Sequence, residues 1–462
     1  MASRDYIFYE LTNSICSECL QKVEAKIIFQ HDKVYMVKHC FEHGKQKVLV
    51  ATDIPYYEKL RSFNKPGDMP KKFGTEVKYG CPYDCGLCSD HEQHSCLTLI
   101  EVTDQCNLQC PTCYAESGPN AGRHRTLAEI ENMIDIVVRS EGEPDVVQIS
   151  GGEPTIHPDF FAILDAAKAQ PIRHLMVNTN GLRIAREPEF AARLKDYMPG
   201  FEIYLQFDSF KPEALMKLRG ADLTKIRMQA IENLEKHNIS TTLVVTLQKG
   251  LNDDEIGKII DFALTKKCIR GVTFQPTQIA GRLEHFDPTT DRMTLTEVRS
   301  EILRQSNLFA PDDIVPVPCH PDAIAMAYAL KLGGNVVPLT RYFDPAVLLS
   351  SDSKNTINYE NLPAIREHMY KLFSTGATPL TSPENLRSIM CCLPEIDLPN
   401  LAYSNLFRII IMQFYDKYNF DVRGVKRSCV HIVHKDGRII PFVTMNLFYR
   451  NNQIDKIIRK AV

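Results

Sequence analysis

The middle of the chain alternates between short apolar runs and longer amphipathic stretches. Six apolar runs predict buried strands, namely LTLIEV, DVVQIS, HLMVNTN, FEIYLQFD, TTLVVTL and GVTFQPTQ. The stretches between them, such as LAEIENMIDIVVRS and DDEIGKIIDFALTKK, have the apolar spacing of surface helices. Such β/α units predict an α/β fold with a parallel sheet, and six strands are too few for a complete barrel. We therefore expect a partial (β/α)6 TIM-like barrel.

The two flanks of this region have a different pattern. Residues 1–65 contain the strand-like AKIIFQ and KVYMVKHC around the polar turn HDK, which predicts a hairpin in a small β-rich module. Residues 66–96 begin with a linker rich in Gly, Pro and Lys. The β/α units occupy residues 97–310, and PDDIVPVP then opens a less regular C-terminal domain, residues 311–462. The sequence thus predicts four segments.

Composition excludes several classes of protein. A chain of 462 residues buries a large core and needs neither metals nor disulfides merely to fold. The net charge of −3 offers no basic field, so no nucleic-acid partner is expected. Apolar runs such as Leu406–Met412 are far shorter than the ~20 residues of a transmembrane helix. The N-terminal MASRDYIFYELTNS lacks an apolar signal region, so we expect a cytoplasmic protein.

The chain has 15 cysteines, and their clustering indicates metal chemistry. Ten of them lie between residues 16 and 113, in turn-rich surroundings. In a cytosolic protein such spacing favours metal or redox sites over disulfides, and the odd total also argues against complete disulfide pairing. Isolated Cys268, in TKKCIRG, is better explained as a small buried hydrophobic residue.

One loop carries three cysteines directly after the first barrel strand. Cys106, Cys110 and Cys113 stand in CNLQCPTC, where three thiolates can bind three irons of a [4Fe–4S] cube. The fourth iron would stay open to a small molecule. The loop lies at the carboxyl ends of the strands, where barrel enzymes keep their active sites. A zinc knuckle is the alternative, and the spacing and position disfavour it.

This CxxxCxxC motif, followed by Tyr114, resembles the radical S-adenosylmethionine (SAM) superfamily over roughly residues 97–280. The next strand ends in SGGEP, which resembles the family's GGEP motif. The resemblance implies that the open iron chelates SAM and that its reductive cleavage gives a 5′-deoxyadenosyl radical, which abstracts hydrogen from an unactivated carbon. The resemblance identifies no catalytic side chain. The implied SAM-facing residues, for which helix caps and turns are the alternative, are Gly151, Gly152, Glu153, Pro154, Asn178, Asn180 and Asp208.

The remaining cysteine groups predict further metal sites. An auxiliary [4Fe–4S] cluster, or alternatively zinc, is expected at Cys81, Cys85, Cys88 and Cys96. A rubredoxin-like or zinc-ribbon module with zinc or iron is expected at Cys16, Cys19, Cys40 and His43. A second auxiliary cluster in the C-terminal domain is expected from Cys319, Cys391, Cys392 and Cys429.

The order of these motifs is similar to one lineage of the superfamily over nearly the whole chain. The lineage contains archaeal tetraether synthase and class D methyltransferases of a dihydropterin, and many of its members have Cys where this chain has Val443. We expect an enzyme that functionalises or couples unactivated carbons, most like tetraether synthase acting on lipid chains. The alternatives are C-methylation of a dihydropterin, a non-catalytic iron–sulfur electron carrier and a zinc-ribbon nucleic-acid binder.

These alternatives predict different binding sites and partners. A lipid needs a long apolar tunnel and is compatible with peripheral membrane contact, whereas a pterin needs a compact polar pocket with paired carboxylates and amides. Either substrate requires a reducing partner such as ferredoxin or flavodoxin, as the resemblance implies.

Overall fold

The structure is a computed structural model that describes residues 4–332, 335–341 and 405–461. The N-terminal module is a four-stranded antiparallel sheet in the order β1–β2–β3–β4. The predicted hairpin joins β2 and β3 through His31 and Asp32, whose φ angles of 51° and 56° suit a tight two-residue turn. The elements of the module are β1 (Ile7–Ile15), β2 (Lys22–Gln30), β3 (Lys33–Cys40), β4 (Gly44–Ala51) and helix α1 (Ile54–Ser62).

All six strands predicted for the barrel are present and parallel. They neighbour one another in chain order within one twelve-stranded sheet, which confirms the partial (β/α)6 barrel. A two-stranded ribbon made by β6 (Thr112–Cys113) and β12 (Arg282–Leu283) lies outside this sheet. The barrel strands are β5 (Leu97–Thr103), β7 (Val146–Gly151), β8 (His174–Thr179), β9 (Phe201–Gln206), β10 (Thr241–Leu247) and β11 (Ile269–Pro276).

Amphipathic helices connect these strands. Helix α2 begins at a capping box in which Thr126 accepts from the Glu129 amide and Glu129 accepts from that of Thr126, as the sequence TLAE predicts. Within the described ranges, none of the helices is both long and apolar enough to span a bilayer. The helices are α2 (Leu127–Glu141), α3 (Phe160–Lys168), α4 (Leu182–Arg186), α5 (Pro188–Leu194), α6 (Pro212–Arg219), α7 (Thr224–Lys236), α8 (Ile256–Thr265) and α9 (Leu295–Gln305).

The C-terminal region adds a parallel strand to each side of the barrel. Strand β16 pairs with β11, and β17 pairs with β5, so eight parallel strands neighbour one another. On their outer sides β16 pairs with antiparallel β14 and β17 with antiparallel β18, which leaves the barrel open. The elements are β13 (Val315–Pro316), β14 (Ile324–Leu332), β15 (Asn335–Pro338), β16 (Leu406–Met412), α10 (Val422–Lys426), β17 (Val430–Val433), β18 (Ile439–Pro441), α11 (Phe442–Thr444), a π-helical turn (Met445–Tyr449) and α12 (Ile454–Ala461).

Along each strand, the side chains point alternately toward the apolar core under the helices and toward the barrel interior. In β7, Val147 and Ile149 join the core under the helices, whereas Gln148 lines a central cavity. Near the amino ends of the strands the interior holds a buried ion pair, in which Arg408 donates to both oxygens of Glu202 at 2.9 Å. The carboxyl ends of the strands surround the candidate site.

Candidate active site

The three-cysteine loop follows β5, and hydrogen bonds to its backbone atoms hold it in place. The Cys106 amide donates to the Gly118 carbonyl at 3.0 Å. Arg282, in β12, donates from Nε to the carbonyl of Cys110 at 2.6 Å and from Nη2 to that of Ser117 at 2.7 Å. Strand β6, which belongs to this loop, also pairs with β12, so contacts within the protein fix the path of the loop.

The thiols of Cys106, Cys110 and Cys113 lie close enough to affect one another's ionisation. Burial is the main cause that raises the pKa of the Cys106 thiol to about 12, and neighbouring anionic groups add to it. Unlike two other cysteine groups of the described chain, the three sulfurs are not all within 4.8 Å of one another. Three neighbouring thiolates in one short loop are a donor set that a [4Fe–4S] cluster takes.

The GGEP loop after β7 packs directly on the backbone of the cysteine loop. The Gly152 amide donates to the Thr103 carbonyl at 2.8 Å, and the Glu153 amide donates to that of Gln105 at 2.9 Å. Gly151 has a φ of +122°, and a Cβ there would lie 2.3 Å from the Thr103 oxygen. A Cβ at Gly152 would lie 2.1 Å from the Gln105 oxygen, so this close approach requires glycine at both positions.

Glu153 joins the GGEP loop to the end of β8. Its carboxylate accepts from Thr179 Oγ1 at 2.7 Å, from the Asn180 amide at 2.8 Å and from the amide and hydroxyl of Thr155. Burial raises the pKa of Glu153, and these hydrogen bonds oppose the rise. Asn180 in turn donates to Asn107 Oδ1 at 2.7 Å in the cysteine loop. The Glu153 carboxylate, which is expected to face SAM, is therefore already engaged by protein donors.

A chain of side-chain hydrogen bonds crosses the strand ends. Arg219 donates to Gln206 Oε1 at 2.9 Å, and Gln206 donates to Asn178 Oδ1 at 2.9 Å. Asn178 then donates to Ser150 Oγ at 3.4 Å, which lies 3.3 Å from the Tyr114 hydroxyl. The chain links helix α6 to the cysteine loop and orients the amides that line the cavity.

Asp208 differs from its predicted position. We expected it to face the cofactor, but it is fully buried and is not among the described residues that line the cavity. Arg219 binds both of its oxygens at 2.6 and 2.7 Å, and Nη2 of Arg227 lies 3.7 Å away. The reason is electrostatic, since a buried carboxylate beside two guanidinium groups is stabilised by facing them rather than the cavity. Asp208 thus positions Arg219, which does line the cavity.

Arg227 lines the same cavity and is poorly satisfied by the protein. It is 1% exposed, and its Nε and Nη2 atoms have no hydrogen-bond partner within the described ranges. Burial lowers its pKa to about 10, so it remains cationic at neutral pH. A buried guanidinium with free donors suits a carboxylate ligand, such as that of the methionine part of SAM.

These elements enclose a central cavity of about 190 Å³ at the mouth of the barrel. Its lining includes Gly151, Gly152 and Glu153 from the GGEP loop, whereas Pro154 is buried and is not among the described lining residues. Strands β7–β11 contribute a polar wall of Gln148, Asn178, Tyr204, Gln206, Thr246 and Gln275. The opposite wall is apolar and consists of Leu97, Leu99, Met412, Phe414, Val430 and Phe442.

The N-terminal module brings its four predicted ligands together. Donor atoms of Cys16, Cys19, Cys40 and His43 all lie within 4.8 Å of one another. His43 Nδ1 is 3.6 Å from the sulfur of Cys16 and 3.5 Å from that of Cys40. Sulfurs that share one tetrahedral zinc ion at ~2.3 Å lie ~3.8 Å apart, and the Cys19 and Cys40 sulfurs are 3.8 Å apart. The donor set fits a single zinc ion.

Comparison with protein families agrees with these two sites. Residues 100–263 match the model of the radical SAM superfamily. The protein is a radical SAM enzyme. Residues 8–52 match a second model, described as the HMPTM N-terminal zinc ribbon domain. The radical SAM domain implies a [4Fe–4S] cluster and SAM, and the N-terminal donor set is that of a zinc ribbon.

Two relatives show how far the similarity extends. The chain is 29% identical to 7,8-dihydro-6-hydroxymethylpterin dimethyltransferase of Methanocaldococcus jannaschii, over 96% of this chain and 95% of that protein. It is 26% identical to GTP 3′,8-cyclase of Alkaliphilus oremlandii, over 61% of this chain and 88% of that protein. The first match spans the zinc ribbon, the barrel and the C-terminal region together.

Solved structures of radical SAM proteins resemble this one over part of its length. SuiB of Streptococcus suis bound to S-adenosylmethionine matches with a TM-score of 0.37 and 16% identity, over 46% of this chain and 47% of that chain. The hydrogenase maturase HydG of Carboxydothermus hydrogenoformans matches with a TM-score of 0.38, over 46% and 53%. The chain thus spans about half the length of these structures.

The other cysteines of this radical SAM enzyme group differently from the prediction. Cys96, expected to share a cluster with Cys81, Cys85 and Cys88, instead lies within 4.8 Å of the sulfurs of Cys319 and Cys429. The reason is strand register, since Cys96 and Cys429 immediately precede β5 and β17, whose first residues are paired. The sequence shows a cysteine directly before each of these two strands, but it does not show that the strands pair with each other.

Cys81, Cys85 and Cys88 remain neighbours. Burial and then the nearby Cys81 raise the pKa of the Cys85 thiol well above its usual range, and Cys88 also contributes. Cys391 and Cys392 lie outside the described residues. Val443, which stands where the resemblance implies Cys, is buried in α11. The cysteine-rich groups fit auxiliary iron–sulfur cluster binding, while the ligand set of each cluster remains a prediction.

Proposed function

We propose that this radical SAM enzyme is a C-methyltransferase whose substrate is a dihydropterin. The observation that carries the proposal is the similarity to the pterin dimethyltransferase over 96% of this chain. The similarity includes the order of zinc ribbon, radical SAM barrel and C-terminal region. The comparisons therefore favour the methyltransferase alternative over the lipid-coupling function that we expected first.

The lining of the central cavity supports a compact polar substrate. One wall carries amide side chains from successive strands. A lipid chain was expected to need a long apolar tunnel, whereas a pterin ring needs adjacent donors and acceptors along its edge. The paired carboxylates that we also expected are not found, since Glu153 is the only carboxylate among the described lining residues.

The chain's own residues would hold the cofactors at this cavity. We propose Cys106, Cys110 and Cys113 as the ligands of the cluster, with the GGEP glycines and Arg227 around SAM. When bound, the cluster and SAM supply a 5′-deoxyadenosyl radical, which abstracts hydrogen from the substrate. The apolar wall excludes water from the space between cofactor and substrate, which protects such a reactive species from side reactions.

The other metal groups have proposed roles in structure and electron supply. The zinc ribbon ligands would stabilise the N-terminal module, since a bound ion stabilises the folded ligand arrangement. Cys81, Cys85 and Cys88, and the separate group of Cys96, Cys319 and Cys429, would hold auxiliary clusters. The enzyme needs a reductant, for which we propose a ferredoxin or flavodoxin, and we propose a cytoplasmic location.

Anaerobic turnover tests the proposal. Reconstituted enzyme would receive SAM, dithionite, 7,8-dihydro-6-hydroxymethylpterin and a folate- or methanopterin-type one-carbon donor. We expect mass spectrometry to detect a pterin that carries one or two added methyl groups, together with 5′-deoxyadenosine. Cys106→Ala is the inactive control, because it removes one proposed cluster ligand, and Cys268→Ala is the matched control, because Cys268 is a lone buried thiol.

The outcome separates the competing functions. If SAM is cleaved but the pterin stays unmodified, while a parallel reaction that is supplied with isoprenoid lipids gives coupled lipid chains, the pterin substrate is wrong and the lipid function is correct. If methylated pterin forms equally with Cys106→Ala, the proposed cluster ligands are wrong.

A further inference from the structure

Two glutamines of the central cavity have no role in the contacts described so far. Gln148, in β7, is 3% exposed and lines the cavity, and its side chain has no hydrogen-bond partner in the described part of the chain. Gln278, which follows β11, also lines the cavity, and its Oε1 atom is buried without a partner. Buried polar groups are nearly always hydrogen-bonded, so two free amides in one cavity indicate a ligand that completes them.

The sheet places these amides on well-separated parts of the wall. Strands β8, β9 and β10 lie between β7 and β11 in the sheet order. Between the two amides, Gln275 donates from Nε2 to the Tyr204 hydroxyl at 3.1 Å, and both side chains line the cavity. Asn178 and Gln206 are engaged in the chain that starts at Arg219. Gln148 and Gln278 are therefore the amides that remain available.

The opposite wall offers an aromatic surface. The rings of Phe414 and Phe442 have centroids 4.3 Å apart, and the Tyr114 ring lies 4.9 Å from that of Phe442. All three residues line the cavity. A flat heteroaromatic ring can pack its face on such a surface while its edges reach polar side chains.

The polar groups of the cavity also limit the charge of a substrate. Amides donate and accept hydrogen bonds without supplying a countercharge. Glu153 is the only carboxylate in the described lining, and its oxygens accept from protein donors. A cationic ring would therefore be left without an anionic partner, whereas a neutral ring with alternating donors and acceptors would be satisfied.

We propose, on the basis of the proposed pterin substrate, that Gln148 and Gln278 are specificity-determining residues that bind two polar edges of a neutral pteridine ring. The face of the ring lies on Phe414 and Phe442. The two amides discriminate between the amino and carbonyl substituents of pteridines, because an amide oxygen that accepts from the amino group would face a second acceptor where a carbonyl replaces it.

Equilibrium binding tests this inference separately from turnover. Anaerobic, cluster-loaded enzyme would be titrated by fluorescence with 7,8-dihydro-6-hydroxymethylpterin and with the matching lumazine, in which a carbonyl replaces the amino group. We expect Gln148→Leu and Gln278→Leu each to weaken pterin binding about tenfold to a hundredfold, since each loses a buried hydrogen bond. At least one of them should also reduce the preference for pterin over lumazine. Gln453→Leu, at an exposed glutamine, is the matched control.

The binding results distinguish an error in the proposed pterin substrate from an error in the proposed role of the two glutamines. If the wild type binds neither ring, the proposed pterin substrate is wrong. If it binds pterin and both leucine variants bind it within twofold of the wild type, the role of the two amides is wrong. SAM affinity, which should stay unchanged, shows that the variants are folded. If it falls, Gln148→Asn and Gln278→Asn replace the leucine variants, and unchanged pterin binding by both would then refute the inference.

Discussion

The buried ion pair at the amino ends of the barrel strands allows a quantitative test of the fold. Arg408, in β16, donates to both oxygens of Glu202, in β9, at 2.9 Å, and His174 Nε2 lies 3.1 Å from the same carboxylate. Glu202 is fully buried, and Arg408 is 7% exposed. The pair therefore joins a C-terminal strand to the barrel through groups that water does not screen.

Replacing Arg408 with Met leaves the Glu202 charge buried without its main partner. Removing one member of a buried pair costs about 3–5 kcal/mol in free energy of unfolding. An unfolding entropy of about 0.5 kcal/mol/K for a barrel unit of ~250 residues converts this cost into a Tm lower by about 6–10 °C. Glu202→Gln added to Arg408→Met should restore part of the loss, because it removes the stranded charge.

Thermal unfolding followed by circular dichroism measures these changes. The matched control is Arg304→Met, which breaks the exposed pair between Arg304 and Glu301. Exposed pairs contribute only about 0–1 kcal/mol, so its Tm should stay within about 2 °C of the wild type. A double variant that is less stable than Arg408→Met, or a single variant equal to the control, would refute the electrostatic reasoning.

Three further predictions concern the metal sites, the GGEP loop and pH. Cys40→Ser should remove about one zinc ion per chain while leaving iron content unchanged in elemental analysis; loss of iron instead would reassign that site. Gly151→Ala should weaken SAM binding in equilibrium dialysis by about tenfold or more, because its Cβ would lie 2.3 Å from the Thr103 oxygen, whereas Gly74→Ala, with open space around it, should not. Burial opposes the ionisation of Glu202. Arg408 and the hydrogen-bond donors around this carboxylate nevertheless hold its pKa far below the usual range. Its stabilisation is therefore present above about pH 4.3 and is lost as pH falls below that value. The Tm difference between wild type and Glu202→Gln should shrink as the pH falls from about 5.5 to about 3, and a constant difference would contradict this.

The barrel was predictable because its signal is local. Each of its six strands is an apolar run followed by an amphipathic helix, and the structure has all six in chain order. Strands β16 and β17 were not predicted as barrel neighbours, because they pair with strands more than 100 residues away in the chain. The separate domain expected for residues 311–462 remains a prediction. The described strands of this region extend the barrel sheet.

The same distinction applies to the candidate site. Cysteine spacing located the zinc ribbon and the three-cysteine loop, because each set of ligands is close in sequence. It misplaced Cys96, whose neighbours Cys319 and Cys429 come from distant segments. The roles of Arg219 and Arg227 had no sequence signal, since helical arginines are usually solvent-exposed. Only the folded chain shows that Arg227, which is buried, and Arg219, whose side chain is 12% exposed, both lie beside Asp208.

Reductive cleavage of SAM tests the central claim most directly. Anaerobic enzyme loaded with iron and sulfide should release 5′-deoxyadenosine and methionine when it receives SAM and dithionite, as measured by liquid chromatography and mass spectrometry. Cys106→Ala, Cys110→Ala and Cys113→Ala should each abolish this release while retaining zinc in the N-terminal module. Release that persists in these variants, or its absence from wild-type enzyme with a full complement of iron, would contradict the account.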